Sequence, residues 1–331
     1  MKIIKKLMQI ALAVFFFSLL ATSTVLADDT DSEGWKFVQE NGRTYYKKGD
    51  LKETYWRVID GKYYYFDSLS GEMVVGWQYI PAPHEGVTIG SSLRQDIAFR
   101  PDWFYFGQDG VLQEFVGKQV LEAKTATNTN KHHGEQYDSP AEKRVYYFED
   151  QRSYHTLKTG WVYDEGHWYY LLKDGGFDSR INRLTVGELA RGWTNDNSTW
   201  YYLDPTTAAM QTGWKQLGNN WYYLRSSGAM ATGWYQEGST WYYLDQPNGD
   251  MKTGWQNLGN NWYYLRSSGA MATGWYQDGS TWYYLNAGNG DMKTGWFQVG
   301  SKWYYAYSSG ALAVNTTVDG YSVNYNGEWV Q

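Results

Sequence analysis

Residues 212–252 read TGWKQLGNNWYYLRSSGAMATGWYQEGSTWYYLDQPNGDMK, and residues 253–293 read TGWQNLGNNWYYLRSSGAMATGWYQDGSTWYYLNAGNGDMK; 35 of the 41 positions agree. Each block splits again into similar halves of 20 and 21 residues, and self-similarity at such a period marks a repeat architecture. The Gly-Trp steps place Trp193, Trp214, Trp234, Trp255, Trp275 and Trp296. The Trp-Tyr-Tyr steps place Trp200, Trp221, Trp241, Trp262, Trp282 and Trp303, each seven residues later. Within one unit, Trp214–Leu217 is a short aromatic-led run, Gly218-Asn219-Asn220 is turn chemistry, and Trp221–Leu224 favours a strand. Two short strands around a Gly-containing turn predict a β-hairpin. A second turn, Ser226-Ser227-Gly228 or Asn248-Gly249-Asp250, leads into the next Gly-Trp.

A lone hairpin is marginal in water, whereas stacked hairpins bury each other's faces. The sequence therefore predicts an all-β solenoid of stacked β-hairpins. The last unit is degenerate, with Thr316 and Val323 where the two tryptophans fall elsewhere, which is the composition of a terminal cap. Upstream the pattern persists in altered form. Trp35, Trp56 and Trp77 are 21 apart but lack a second tryptophan seven residues on. Tyr63-Tyr64-Tyr65-Phe66, Trp103-Phe104-Tyr105-Phe106 and Val145-Tyr146-Tyr147-Phe148 read as second strands, Val116 takes a Gly-Trp position, and Trp161 with Trp168 restores the full pair. Insertions at 80–101, 117–143 and 172–190 interrupt these units. The expected organisation is a divergent module of modified repeats over 28–190, with long inserted loops, and a regular module over 191–331.

Composition agrees. The 331 residues include 63 aromatics (19 Trp, 32 Tyr, 12 Phe) and 36 Gly. Leu, Ile and Val are sparse beyond residue 27, so the core must be built largely from rings, unlike the aliphatic runs of a parallel α/β sheet. An aromatic content this high also excludes a disordered chain. Residues 1–27 read as a secretory signal peptide: Lys2, Lys5 and Lys6, an apolar run from Leu7 to Leu20, and a cleavage site at Val25-Leu26-Ala27. Loss of those three lysines takes the net charge from −6 to −9. An acidic chain argues against a nucleic-acid partner, and with no Cys, stability in a secreted setting must come from packing.

The tyrosines as a group serve packing. The paired tryptophans exceed what so thin a layer needs. Strand alternation puts Trp221 and Tyr223 on one face and Tyr222 on the other, and Trp214 lies across the hairpin from Tyr223. Two indoles then stand together at each hairpin edge, with a ring from the next hairpin and Met230 or its equivalents closing the space. Aromatic walls without charge suit a quaternary ammonium, at ~0.5–2 kcal/mol per ring. A single site is then roughly millimolar, and several on one rod give tight attachment.

The signature TGW-x4–6-WYYL-x4–6-G-x-MATGW resembles the choline-binding repeats of surface proteins from pneumococcus and related streptococci, closest to the all-repeat choline-binding protein F/J type. The resemblance covers 191–331 firmly and 28–190 loosely. It implies a hairpin solenoid with choline between successive hairpins, held by two Trp of one repeat, an aromatic of the next and often a Met. The implied pairs are Trp193/Trp200, Trp214/Trp221, Trp234/Trp241, Trp255/Trp262 and Trp275/Trp282. Their implied partners are Tyr223, Tyr243, Tyr264, Tyr284 and Tyr305, with Met230, Met251, Met271 and Met292; choosing the second tyrosine of each pair rests on the assumed turn. The implied ligand is phosphocholine on teichoic and lipoteichoic acids, which makes the chain a cell-wall anchor at the bacterial surface. Choline is the ligand; no cofactor and no metal are implied. Some relatives carry a hydrolase domain, and all-repeat members imply modulation of a choline-dependent murein hydrolase.

Three other readings compete: a glucan- or carbohydrate-binding module, because rings also stack on sugars; an adhesin to a host protein; and an enzyme. Sugar sites want hydrogen-bonding side chains beside the rings. No catalytic residues stand out: there is no Cys nucleophile, H-E-x-x-H, G-x-S-x-G or P-loop, and the longest gap between repeat landmarks (117–143) is too short for a catalytic core. His132-His133 with Glu135 and Asp138 offers metal-ligand chemistry, but a solvated loop is the simpler reading.

Overall fold

The structure, a computed structural model, describes residues 30–83, 101–136, 142–149, 155–173, 177–178 and 183–331. The signal-peptide reading of 1–27, most of the 80–101 insertion and Asp138 lie outside the described residues. Among those residues all regular structure is β-strand, and no helix is long and apolar enough to cross a membrane. The chain forms two compact units, one holding residues up to Tyr163 with Tyr170–Ala190, the other Asp164–Tyr169 with Arg191–Gln331.

In the second unit six hairpins recur with one register. Gly213–Leu217 pairs with Asn220–Leu224 so that Trp214 faces Tyr223, Lys215 faces Tyr222 and Gln216 faces Trp221. The pairing is the same in Gly233–Glu237 with Thr240–Leu244, and in Gly254–Leu258 with Asn261–Leu265. The two-residue loop Gly218-Asn219 places Gly218 at φ +63°, which a side chain resists and hairpin twist demands. Each of these twelve strands ladders only with its partner in the same hairpin, and what joins neighbouring hairpins is a single backbone bond and the rings. The Met230 N–H donates to the Trp200 carbonyl at 2.8 Å, Met251 to Trp221 at 2.7 Å, Met271 to Trp241 at 2.8 Å and Met292 to Trp262 at 2.7 Å. The leucines ending each Trp-Tyr-Tyr-Leu, Leu203, Leu224, Leu244, Leu265 and Leu285, are completely buried and form the aliphatic part of the core.

The first unit uses the same hairpin under heavier packing. Tyr55–Ile59 pairs with Lys62–Phe66, placing Trp56 opposite Tyr65. Val74–Pro81 pairs with Pro101–Phe106, placing Trp77 opposite Tyr105 and Tyr79 opposite Trp103. This corrects the reading that Trp77 has no second tryptophan. The partner is Trp103, because the insertion lies inside the hairpin turn and stretches a spacing of seven to one of 26. Gly117–Glu122 pairs with Lys143–Glu149 as the next hairpin. Here the rings are core: Trp77, Phe66, Phe104, Phe106 and Tyr146 are fully inaccessible.

His133 is half-buried against Thr44, with Nδ1 2.8 Å from Thr44 Oγ1, and its partial burial lowers its pKa below the ordinary 6.5. The unfolded chain therefore takes up a proton near pH 6.5 that the folded chain refuses. The contribution is complete above about pH 6.5 and is lost as pH falls toward the depressed folded value. The melting temperature is expected to drop between pH 7.5 and 5, and His133→Gln should flatten that part of the profile.

Candidate functional site

Each interface between successive hairpins of the second unit presents the same set of rings. A cavity of about 280 Å³ is lined by Trp193, Trp200, Tyr222, Met230, Pro247 and Asn248. Trp193 meets Tyr222 of the next hairpin at 5.0 Å between centroids and its own cross-strand Tyr202 at 5.2 Å. The repeats of this contact are Trp214–Tyr242 at 4.9 Å, Trp234–Tyr263 at 4.9 Å, Trp255–Tyr283 at 4.8 Å and Trp275–Tyr304 at 4.8 Å. In two of the pairs the indoles are nearly perpendicular, 86° for Trp234–Trp241 and 84° for Trp275–Trp282, so there they form a corner rather than a stack. Trp200, Trp221, Trp241, Trp262 and Trp282 are exposed, 37–44% accessible, which leaves indole surface open to a ligand. The backbone bonds that join hairpins bring Met230, Met251, Met271 and Met292 to the second tryptophan of the preceding hairpin.

The expected tryptophan pairs and methionines are thus brought together, but the tyrosine choice is corrected. The ring reaching back to the preceding tryptophan is the first of each pair: Tyr222, Tyr242, Tyr263, Tyr283 and Tyr304. Tyr223, Tyr243, Tyr264, Tyr284 and Tyr305 each pack against the Trp of their own hairpin, at 4.9–5.3 Å. The reason is strand alternation: a residue sharing a face with Trp214 and Trp221 points forward, so only the opposite face points back. The second tyrosines have a packing task. Tyr223 stacks on Tyr235 at 3.9 Å, Tyr264 on Tyr276 at 4.0 Å and Tyr284 on Phe297 at 5.2 Å. Burial, and then the bond with Tyr223, raise the Tyr235 phenol above its ordinary range, so it stays neutral; Tyr276 behaves alike beside Tyr264.

Two further features escaped the sequence reading. Alternate interfaces carry a carboxylate on the indole: Trp214 Nε1 donates to Glu237 at 3.1 Å, Trp255 to Asp278 at 3.0 Å and Trp296 to Asp319 at 3.3 Å. The expectation of uncharged surroundings therefore fails at these three, where a negative charge on the ring edge favours a cation. The signal was present as an acid 23 residues after each of these tryptophans. The C-terminal cap also completes a ring cluster. Trp296, Trp303, Tyr321 and Trp329 line a cavity of about 340 Å³, with Tyr321 5.7 Å from Trp296. Trp329 comes from the third strand of the cap, Trp329–Val330, outside the repeat signature. At the Trp275/Trp282 interface the methionine is replaced by Leu312, whose N–H donates to the Trp282 carbonyl at 2.8 Å.

In the first unit, His132 Nδ1 lies 3.2 Å from both the Glu72 and Glu135 carboxylates, and Arg43 pairs with the same two acids. The guanidinium already supplies the positive charge this cluster attracts, and the network fastens the 131–136 segment to Arg43 on the Arg43–Lys48 strand and to Glu72 in the turn after Phe66.

Comparison with known proteins gives these interfaces a family. The choline-binding repeat family matches residues 211–253 and 252–297, and the putative cell wall binding repeat family matches 159–177, 192–206 and 294–312. The chain belongs to the choline-binding proteins. It is similar to CbpJ from Streptococcus pneumoniae, at 71% identity over 90% of this chain and 100% of that one, with a TM-score of 0.81. It is also similar to choline binding protein F from Streptococcus pneumoniae, at 60% identity over 90% and 99% of the two chains, with a TM-score of 0.82. Another structure of that protein, solved in the presence of a peptidoglycan analogue, matches at 61% identity over the same shares with a TM-score of 0.82. No curated protein sequence matches significantly. The membership fits a β-rich cell-surface protein.

Proposed function

We propose that this is a secreted, non-catalytic protein that fixes itself to the cell wall by binding the phosphocholine of teichoic and lipoteichoic acids in cages between stacked hairpins. The hairpins of 191–331 form a β-solenoid whose repeated cages act together. The observation that carries this reading is the recurrence of one ring set: two exposed or half-buried indoles of one hairpin and a tyrosine of the next, with a methionine alongside at four interfaces and Leu312 at the fifth. Ring faces attract a large, weakly hydrated cation, and the trimethylammonium group fills such a corner without needing hydrogen bonds. The ring cluster at Trp296, Trp303, Tyr321 and Trp329 adds a terminal site. Repeat landmarks run through residues 35–323, with no catalytic motif among them, which supports the non-catalytic reading. A protein saturating wall phosphocholine competes with choline-dependent murein hydrolases for the same ligand, which is the route by which we expect it to restrain them.

The test is sedimentation with purified walls. The protein is expected to pellet with walls carrying phosphocholine, to be released by free choline, and to stay in solution with walls stripped of it. Pelleting that ignores free choline, or that glucan oligomers reverse instead, would move the chain to the carbohydrate-binding or adhesin class.

A further inference from the structure

One of the altered repeats contains the same cage, and it is occupied. Trp77 and Trp103 stand on the Val74–Pro81 and Pro101–Phe106 hairpin where Trp193 and Trp200 stand on theirs. The register is identical: Gly76 opposite Phe106 and Trp77 opposite Tyr105 correspond to Gly192 opposite Leu203 and Trp193 opposite Tyr202. Tyr146 of the following hairpin is 4.8 Å from Trp77 at 62°, as Tyr222 is 5.0 Å from Trp193 at 67°. Into this corner runs the side chain of Lys124, which is completely buried. Its ammonium nitrogen lies 4.0 Å from the Tyr146 ring centroid, 4.6 Å from Trp77 and 5.7 Å from Trp103. All three are within the range at which a ring face attracts a cation. The same nitrogen donates to the Val186 carbonyl at 2.7 Å.

We infer that Lys124 is the built-in ligand of this cage: its ammonium takes the place that a quaternary ammonium takes in the regular repeats, and it closes this site to choline. The lysine is delivered by the segment that follows the Gly117–Glu122 strand, within the inserted stretch 117–143. That insertion therefore has a definite task, converting a binding site into a fastening. A free ammonium is smaller than trimethylammonium and needs a hydrogen-bond acceptor. The Val186 carbonyl supplies one, which explains why this cage has a polar contact that ring walls alone do not offer.

The inference shares with the proposed function the premise that such corners take cations, so its test has an arm independent of choline. In amine labelling followed by mass spectrometry, Lys124 is expected to stay unmodified in the native protein while exposed Lys48 reacts, with choline present or absent. Labelling of Lys124 at the rate of Lys48, or its release by saturating choline, would overturn the assignment. In a second arm, calorimetric titration of Lys124→Ala should show one more choline site than the wild type. Lys124→Met, which refills the space with an apolar chain, should show no gain. A folded Lys124→Ala with unchanged stoichiometry would also overturn the assignment. Failure of the wild type to bind choline at all would defeat the proposed function instead, leaving the labelling result to decide this one.

Discussion

Alanine at Trp214, Trp234 and Trp255 together is expected to lower retention on a choline-bearing matrix a hundredfold or more, whereas each single change costs only a few-fold. Each indole is one wall of one corner and is worth about 0.5–2 kcal/mol toward a cation. A lone site is then roughly millimolar, and removing a wall makes it negligible. Retention on a surface follows the number of sites engaged at once, and linked sites exceed the single-site affinity by about 10²–10⁴. Losing three neighbouring interfaces breaks that linkage in the middle of the array, leaving Trp193/Trp200 on one side and Trp275/Trp282 with the terminal cluster at Trp296 and Trp303 on the other. The check is elution by a choline gradient, with thermal melts as control, because Trp214 and Trp234 also pack on Tyr223 and Tyr243. A triple variant that folds and elutes with the wild type would show that the indoles are packing and nothing more.

Gly249→Ala is the second change with a large expected effect. A β-carbon there would meet Met230 Sδ at 2.4 Å and Cε at 2.7 Å, and Gly249 sits at φ +77°. Left-handed backbone costs a residue with a side chain roughly 1–2 kcal/mol, and the clash adds to it. Met230 must move, and it lines the Trp193/Trp200 cavity. The variant should therefore melt lower and bind one choline fewer. Gly259→Ala separates the two causes: its φ is +61°, but a β-carbon there would meet nothing within 4 Å. It should lose stability through strain alone and keep every site. Equal site counts in both variants would mean that Met230 is not a wall.

The period, the hairpins and the tryptophan pairs were legible because three signals coincide in each unit: turn chemistry at Gly218-Asn219, β-favouring rings at Trp221–Leu224, and a spacing of 20–21 residues. The contacts between hairpins were harder to read. Alternation gives the two faces of one hairpin, but placing Tyr223 in the preceding cage overlooks that the same alternation turns it forward and leaves Tyr222 to face back. Sequence spacing says which face a residue occupies but not which neighbour that face meets. Trp103 was missed as the partner of Trp77 because an insertion inside a turn changes the spacing without changing the register. Trp329 and Lys124 lie outside the repeat signature, and only the fold brings them to a cage. The carboxylates Glu237, Asp278 and Asp319 stand beside hairpin turns, and turn composition alone does not reveal a bond to an indole 23 residues earlier.

Calorimetric titration of the protein with choline, with glucose oligomers as the comparison, tests the central claim most directly. Millimolar binding to several sites, accompanied by a change in tryptophan fluorescence and reduced by one site in Trp234→Ala, is the predicted result. Heat with the glucose oligomers and none with choline would contradict the cation cages and place the chain among sugar-binding proteins.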